Sequence, residues 1–480
     1  MTLDTSISTA DVADGINSVA EVADGIRNGR LSAVGVVEEL FARADKLDPL
    51  LGVYLARFDE EARASVIAAD KAVIDGDPLG PLHGVPIAIK DIITTVEGPT
   101  TAQSLVLPPS WGGRSDAPVV ERLRAAGAVI IGKTTTMEFA IGLPDPSKPF
   151  PIPRNPWDKD RWTGGSSSGT GAGVAAGLFP AGLGTDTGGS VRIPAAYCGI
   201  TGLKPTYGLV PKSGCVPLGF SLDHIGPMAH SAYDCAILLS VMAGYHASDP
   251  TSVHRPKKDY TSELTGDLDG MRIGVERSIA ARTPGADPSL DPAFDEAVSH
   301  LMDAGATLVE IEVPSYEALV AIDMVLMTSE AFSYHAPWLK DRWHDYGRYT
   351  REFVALGALL SGGDYVAAQR ARRYVAMQLQ RSFDLVDAIV MPTASTGAPK
   401  YELLWESGLG NVMGTLFTGA WNSSALPVVA APMGFTDLNL PLSIQVIGKP
   451  FHDGEVLRVA DALQRRSDFH RRQPELALQC

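Results

Sequence analysis

Apolar positions early in the chain recur at three- and four-residue spacing. Val36, Val37, Leu40, Phe41, Ala44 and Leu47 share one helical face behind Ser32, whose hydroxyl can cap the first turn. A second helix is predicted through DEEARASVIAADKAVI, stopping at DGDP. The period then changes. In HGVPIAIKD, Val85, Ile87 and Ile89 alternate with Pro86, Ala88 and Lys90, which is strand spacing. Asp116 is placed to cap a helix bearing Val119, Val120 and Leu123, Gly127 to end it, and AVII to follow as a buried strand. The order helix, glycine, strand returns in DPAFDEAVSHLMDAGATLVEIEV, and further strands are expected at AGLGT, DAIVM and PVVAAP. Residues 315–385 read as mainly helical. Such alternation predicts an α/β fold with a parallel or mixed sheet. No low-complexity linker or fixed-period repeat divides the chain, so residues 1–480 are expected to form a single domain, with N-terminal helices over 1–78.

The net charge of −16 narrows the partners. A field of that sign repels phosphate backbones and anionic lipid, so neither nucleic acid nor a membrane surface is expected to bind. The opening MTLDTSISTADVADG carries neither a basic start nor an apolar run, and no secretory signal is expected from it. Cys198, Cys215, Cys235 and Cys480 show no C-x-x-C spacing and read as reduced thiols of a cytoplasmic protein. H-E-x-x-H is absent as well, so no metal is predicted.

Residues 163–192, TGGSSSGTGAGVAAGLFPAGLGTDTGGSVR, hold ten glycines and eight serines or threonines. Two phosphate-binding patterns lie in or near this stretch. Gly127–Thr134, GAVIIGKT, matches the P-loop pattern of a nucleotide-binding enzyme, but its interior is a strand rather than a loop. Gly171–Ala176, GAGVAA, matches a dinucleotide fingerprint but follows TGGSSSGT, which is no strand; a tightly packed small-residue helix is the better reading. The hydroxyls suggest different chemistry. Ser166, Ser167 and Ser168 stand on a glycine turn, and Ser190 ends GTDTGGS. Bare backbone can aim several N–H groups into one small space, which suits a developing oxyanion, and a hydroxyl beside it is a candidate nucleophile. For a base, His224 follows Asp223, but chain neighbours seldom orient one another as triad partners do. Lys90 is unusual in lying on an apolar strand.

GVPIAIKD, TGGSSSG, GLGTDTGGSVRIPAAYCGITGLKPTYGLV and SLDHIGPMAH resemble, in this order, the amidase signature family of serine hydrolases. The likeness covers about residues 80–240 and returns in NSSALPVVAAPMGF and LPLSIQVIGKPF. It implies one α/β domain around a large mixed sheet with helices on both faces. It also implies a Ser, cis-Ser, Lys triad, with Ser190 as nucleophile, Ser166 as the bridging serine after a cis peptide bond, and Lys90 as base. The implied oxyanion donors are the N–H groups of Thr187, Gly188, Gly189 and Ser190. Ser167 would be a supporting hydrogen-bond partner, and Arg192 would hold the loop. No cofactor is implied.

The resemblance includes stand-alone amidases, carbamate-cleaving enzymes and the glutaminase subunit of tRNA-dependent amidotransferases. Those subunits resemble one another in an Asp seven residues before the Asn of an N…LP stretch. Here that position is Thr415, before Asn422, and the usual TT.GS near residue 100 reads TTAQS. The expected activity is therefore metal-independent hydrolysis of small, aryl or apolar amides, with carbamates (urethanes) as further candidate substrates. GTLFTGAW and the Trp- and Met-bearing helices after residue 315 are expected to wall an apolar pocket. The amidotransferase subunit is the first alternative, and a nucleotide-binding enzyme using Gly127–Thr134 is the second.

Overall fold

The structure is a computed structural model that describes residues 17–408 and 410–479. The opening segment and Cys480 lie outside the described residues. Ser32 caps the helix Ala33–Leu51, accepting the Gly35 N–H at 3.0 Å. The second predicted helix spans Asp59–Asp75 and ends at Gly76 in the left-handed region. Asp116 does not cap its helix. Ala117 occupies the N-cap of Pro118–Ala125, while the Asp116 carboxylate accepts from the Val96 N–H and from Arg124. The helix ends at Ala126, and Gly127, with φ of 95°, then turns the chain toward the sheet.

Among the described residues, eleven strands form one mixed sheet. In chain order they are β1 (Tyr54–Arg57), β2 (Pro86–Lys90), β3 (Val129–Thr134), β4 (Ala181–Asp186), β5 (Thr201–Lys204) and β6 (His224–Ala229). They continue with β7 (Arg272–Val275), β8 (Thr307–Glu310), β9 (Ala388–Pro392), β10 (Val428–Phe435) and β11 (Pro441–Gly448). Across the sheet the order is β1-β3-β2-β4-β6-β5-β10-β11-β9-β7-β8. Strand β2 runs parallel to β3 and β4, and β7 runs parallel to β8 and β9; the other pairs are antiparallel. Every residue of β2, β4, β6, β9 and β11 is buried, so both faces of the central sheet are covered. The edge strands β1 and β8 keep exposed positions.

Both phosphate-like motifs are structural. Val129–Thr134 is strand β3, and Lys133 is buried against Asp91 at 3.3 Å and Thr100 at 3.0 Å. No open loop is left there to wrap a nucleotide. GAGVAA lies in and just after the helix Ser168–Ala175, every residue of which is buried. Residues 315–385 are helical as expected, chiefly Tyr316–Arg342, Arg348–Leu356 and Gly362–Leu385. No helix among the described residues is long and apolar enough to cross a membrane.

Candidate active site

Strands β2 and β4 pair in parallel, with Ile89 opposite Leu183. Their C-terminal ends therefore lie side by side. Lys90 ends β2, and Asp186 ends β4 and opens the loop to Ser190. The Ser166–Ser168 turn enters the helix that packs on these strands. The pairing thus brings one lysine and four hydroxyl residues distant in sequence to one edge of the parallel segment.

Lys90 is fully buried, and its Nζ lies 2.7 Å from Ser166 Oγ, 2.8 Å from Thr185 Oγ1 and 3.1 Å from Ser167 Oγ. Burial brings its pKa down to about 7, and the negative charges of Asp186 and Asp223 only partly oppose that. Ser167 is fully engaged. Its hydroxyl faces Lys90 and the Thr185 backbone, accepting the Thr185 N–H at 3.1 Å and lying 3.3 Å from the Thr185 carbonyl. Ser166 Oγ has Lys90 as its hydrogen-bond partner among the described residues, which leaves its other side open.

The turn that carries Ser166 is tightly specified. The Gly165–Ser166 peptide bond is cis. The Ser166 carbonyl accepts from Thr136 Oγ1 at 2.9 Å and from the Met137 N–H at 3.2 Å. A Cβ on Gly165 would overlap the end of the Met137 side chain, which would have to move aside. Ser167 N–H donates to the Ser190 carbonyl at 3.2 Å, tying the serine turn to the loop after β4.

That loop folds over the Asp186 carboxylate. Asp186 Oδ1 accepts the Gly189 N–H at 2.8 Å, and Oδ2 accepts the Val191 N–H at 3.2 Å. Arg192 grips both oxygens, at 2.9 and 3.0 Å, with neither side chain exposed. Asn422 adds a further hydrogen bond to Oδ1 at 2.8 Å. Burial alone would raise the Asp186 pKa; the Arg192 guanidinium overrides it and holds the carboxyl well below the usual range. Gly189 has φ of 129°, and a Cβ on it would run into Thr418. With the Gly189 N–H committed to Asp186, the Gly188 and Ser190 N–H groups have no acceptor among the described residues. Gly188 and Ser190 are the two partly exposed residues of β4 and its loop through Ser190.

Each residue named from the sequence thus has a definite place. Lys90, Ser166 and Ser167 meet directly, Ser190 is joined to them through Ser167, and Arg192 lies beneath the loop. Asp223 and His224 point apart. Asp223 takes the Thr187 hydroxyl at 2.6 Å, whereas His224 Nδ1 faces the Asp186 carbonyl at 3.1 Å, and burial pushes its pKa well below the usual histidine value. Phe417 and Trp421, read as pocket wall, pack in the core instead, with Trp421 Nε1 on the Phe417 carbonyl at 3.0 Å. Sequence reasoning missed Thr185, Asp186 and Asn422. The one available signal was Asp186 itself, a lone carboxylate in a stretch otherwise neutral up to Arg192. Among the described residues no cluster of three or more His, Cys, Asp or Glu could hold a metal ion.

Known proteins resemble this chain over nearly its whole length. The family model described as Amidase matches residues 35–457. A glutamyl-tRNA(Gln) amidotransferase subunit from Chloroflexus aggregans is 39% identical over 474 residues, covering 94% of this chain and 96% of the relative. A structure solved in work on the origins of an s-triazine catabolic enzyme superposes with a TM-score of 0.86 at 33% identity, covering 94% of this chain and 98% of that one. The native peptide amidase of Stenotrophomonas maltophilia gives a TM-score of 0.81 at 28% identity, over 95% and 98% of the two chains. On the matched span and on an identity sustained from end to end, the chain belongs to the amidase family.

Proposed function

We propose that the chain hydrolyses amide C–N bonds, with Ser190 as nucleophile, Ser166 as proton relay and Lys90 as base. The observation that carries this reading is a buried lysine with a pKa near 7 held 2.7 Å from the Ser166 hydroxyl. A neutral Lys90 has a lone pair for the Ser166 proton. Ser166 can then take the proton of Ser190 as the Ser190 oxygen attacks the carbonyl. The Gly188 and Ser190 N–H groups, with Thr187 beside them, would stabilise the oxyanion, while the Gly189 N–H keeps the loop in shape through Asp186. The relay run backwards delivers the proton to the leaving nitrogen, and water cleaves the acyl-enzyme by the same route. The test is ammonia release from simple amides by the purified chain: Ser190→Ala should abolish it while the fold survives, and unchanged release would remove Ser190 from the mechanism.

Two substrate readings follow. The amidotransferase-subunit reading, hydrolysis of glutamine within a complex, has the support of relatives 37–39% identical over more than nine-tenths of the chain. The stand-alone reading, cleavage of small apolar amides or carbamates, is supported by Thr415. Its hydroxyl donates to the Val412 carbonyl at 2.7 Å and brings no charge to hold an amino acid. The structurally similar peptide amidase adds to that support. The relatives weigh more heavily, because they are 37–39% identical to this chain against 28% for the peptide amidase. Glutamine and an aryl amide, each offered to the isolated chain, separate the readings: a stand-alone enzyme cleaves the aryl amide unaided.

A further inference from the structure

Asp323 lies on the helix Tyr316–Arg342, and the relay described above does not use it. Its side chain is 2% exposed, yet no hydrogen bond reaches its carboxylate among the described residues, and Oδ1 is fully buried without a partner. Leaving such a group unpaired is costly, so a buried, unmatched carboxylate calls for an explanation. Its position supplies one. Oδ2 lies 3.2 Å from where a Cβ on Gly188 would stand, and 3.4 Å from the same point on Gly419. Gly188 is in the nucleophile loop and is partly exposed. The two bare glycines leave the carboxylate against the backbone of the loop, two residues before Ser190. Burial and the nearby Asp186 push the Asp323 pKa well above the usual range, with Arg192 and Arg372 opposing. Neither guanidinium pairs with it: Arg192 is held by Asp186, and Arg372 donates to the Ser423 carbonyl at 2.6 Å and to Ser221.

We infer that Asp323 is a specificity-determining residue whose carboxyl group receives an N–H donor of the substrate beside the scissile carbonyl. The inference rests on the amide-cleaving reading of the site. Two sources share this chemistry, an ammonium on the acyl group and the N–H of a second amide. A wholly apolar acyl group would leave the buried oxygen orphaned, so substrates with a donor there are preferred over isosteric ones without it.

Three amides separate the cases. Alaninamide carries an ammonium, malonamide a second amide, and isobutyramide only a methyl group at the corresponding place. In the wild type, kcat/KM for one of the first two should exceed that for isobutyramide. Asp323→Leu should erase the preference by about ten- to a hundredfold, mainly through KM. Asp323→Asn should retain much of the malonamide preference but not the alaninamide preference, which identifies the source. A preference that survives Asp323→Leu within about twofold overturns the inference. Binding is measured separately by thermal stabilisation of Ser190→Ala by each amide. Stabilisation by a donor-bearing amide that disappears in Ser190→Ala/Asp323→Leu supports the assignment even where turnover fails and the catalytic reading falls. Equal stabilisation by all three amides, or by none, overturns it.

Discussion

Replacing Lys90 with methionine should stabilise the protein while disabling it. The lysine is fully buried, and its pKa falls from 10.5 to about 7 because burial disfavours the ammonium. The unfolded chain therefore binds a proton below pH 10.5 that the folded chain refuses until about pH 7. Between those limits the unfolded state holds more protons, so this residue makes stability rise with pH. Its full penalty is reached below pH 7. At about 1.36 kcal/mol per pH unit, that penalty is on the order of 5 kcal/mol. Methionine removes it, and loses three hydrogen bonds to Ser166, Ser167 and Thr185. At about 1 kcal/mol each these offset part of the gain, leaving about 2 kcal/mol of net stabilisation at pH 7. The sharper quantity is the difference between wild-type and Lys90→Met unfolding free energies from pH 7 to pH 10. It should shift by roughly 3–4 kcal/mol in favour of the wild type as pH rises. Lys204 and Lys133 also have lowered pKa values, but both proteins contain them and they cancel. Denaturant titrations at several pH values measure this directly. A difference that stays flat with pH, or a Lys90→Met protein less stable at pH 7, would refute the neutral buried lysine.

Other consequences are as definite. Wild-type kcat/KM should rise with pH through an apparent pKa near 7, and Lys90→Met should lose that limb together with about 10²–10⁴-fold in rate. Ser166→Ala should slow cleavage of an amide more than of the matching activated ester, because a phenolate leaves without the relayed proton; equal slowing in single-turnover assays would confine Ser166 to activating the nucleophile. Arg192→Met should cost about 3–5 kcal/mol in chemical denaturation, since it leaves the buried Asp186 charge unpaired. Activity should persist after exhaustive dialysis against EDTA, and a loss restored only by added zinc or magnesium would contradict a metal-free mechanism.

Much of this was legible in the sequence because its signals are local. Alternating Val85, Ile87 and Ile89 announced β2 and set Lys90 at its end, and the glycine-rich run between two sets of hydroxyls announced the serine turn and the loop to Ser190. The family resemblance assigned roles that spacing alone left open. What stayed hidden depends on contacts between distant parts of the chain. Asn422 reaches Asp186 across 236 positions, and no local pattern marks that pairing. Asp323 sits on a long helix whose sequence periodicity does not show which side faces Gly188. Strands β5 and β7 are four residues long with an internal glycine, too short to display a period. Asp116 illustrates the opposite error: a good capping residue was drawn away by Arg124 and the Val96 N–H.

The central claim is that Ser190, activated through Ser166 and Lys90, forms the covalent acyl-enzyme. Labelling with a fluorophosphonate, followed by peptide mass mapping, tests it most directly. The adduct is predicted on Ser190, at a rate that falls sharply in Lys90→Met. An adduct on another serine, or labelling of Ser190 at an unchanged rate without Lys90, would contradict the account.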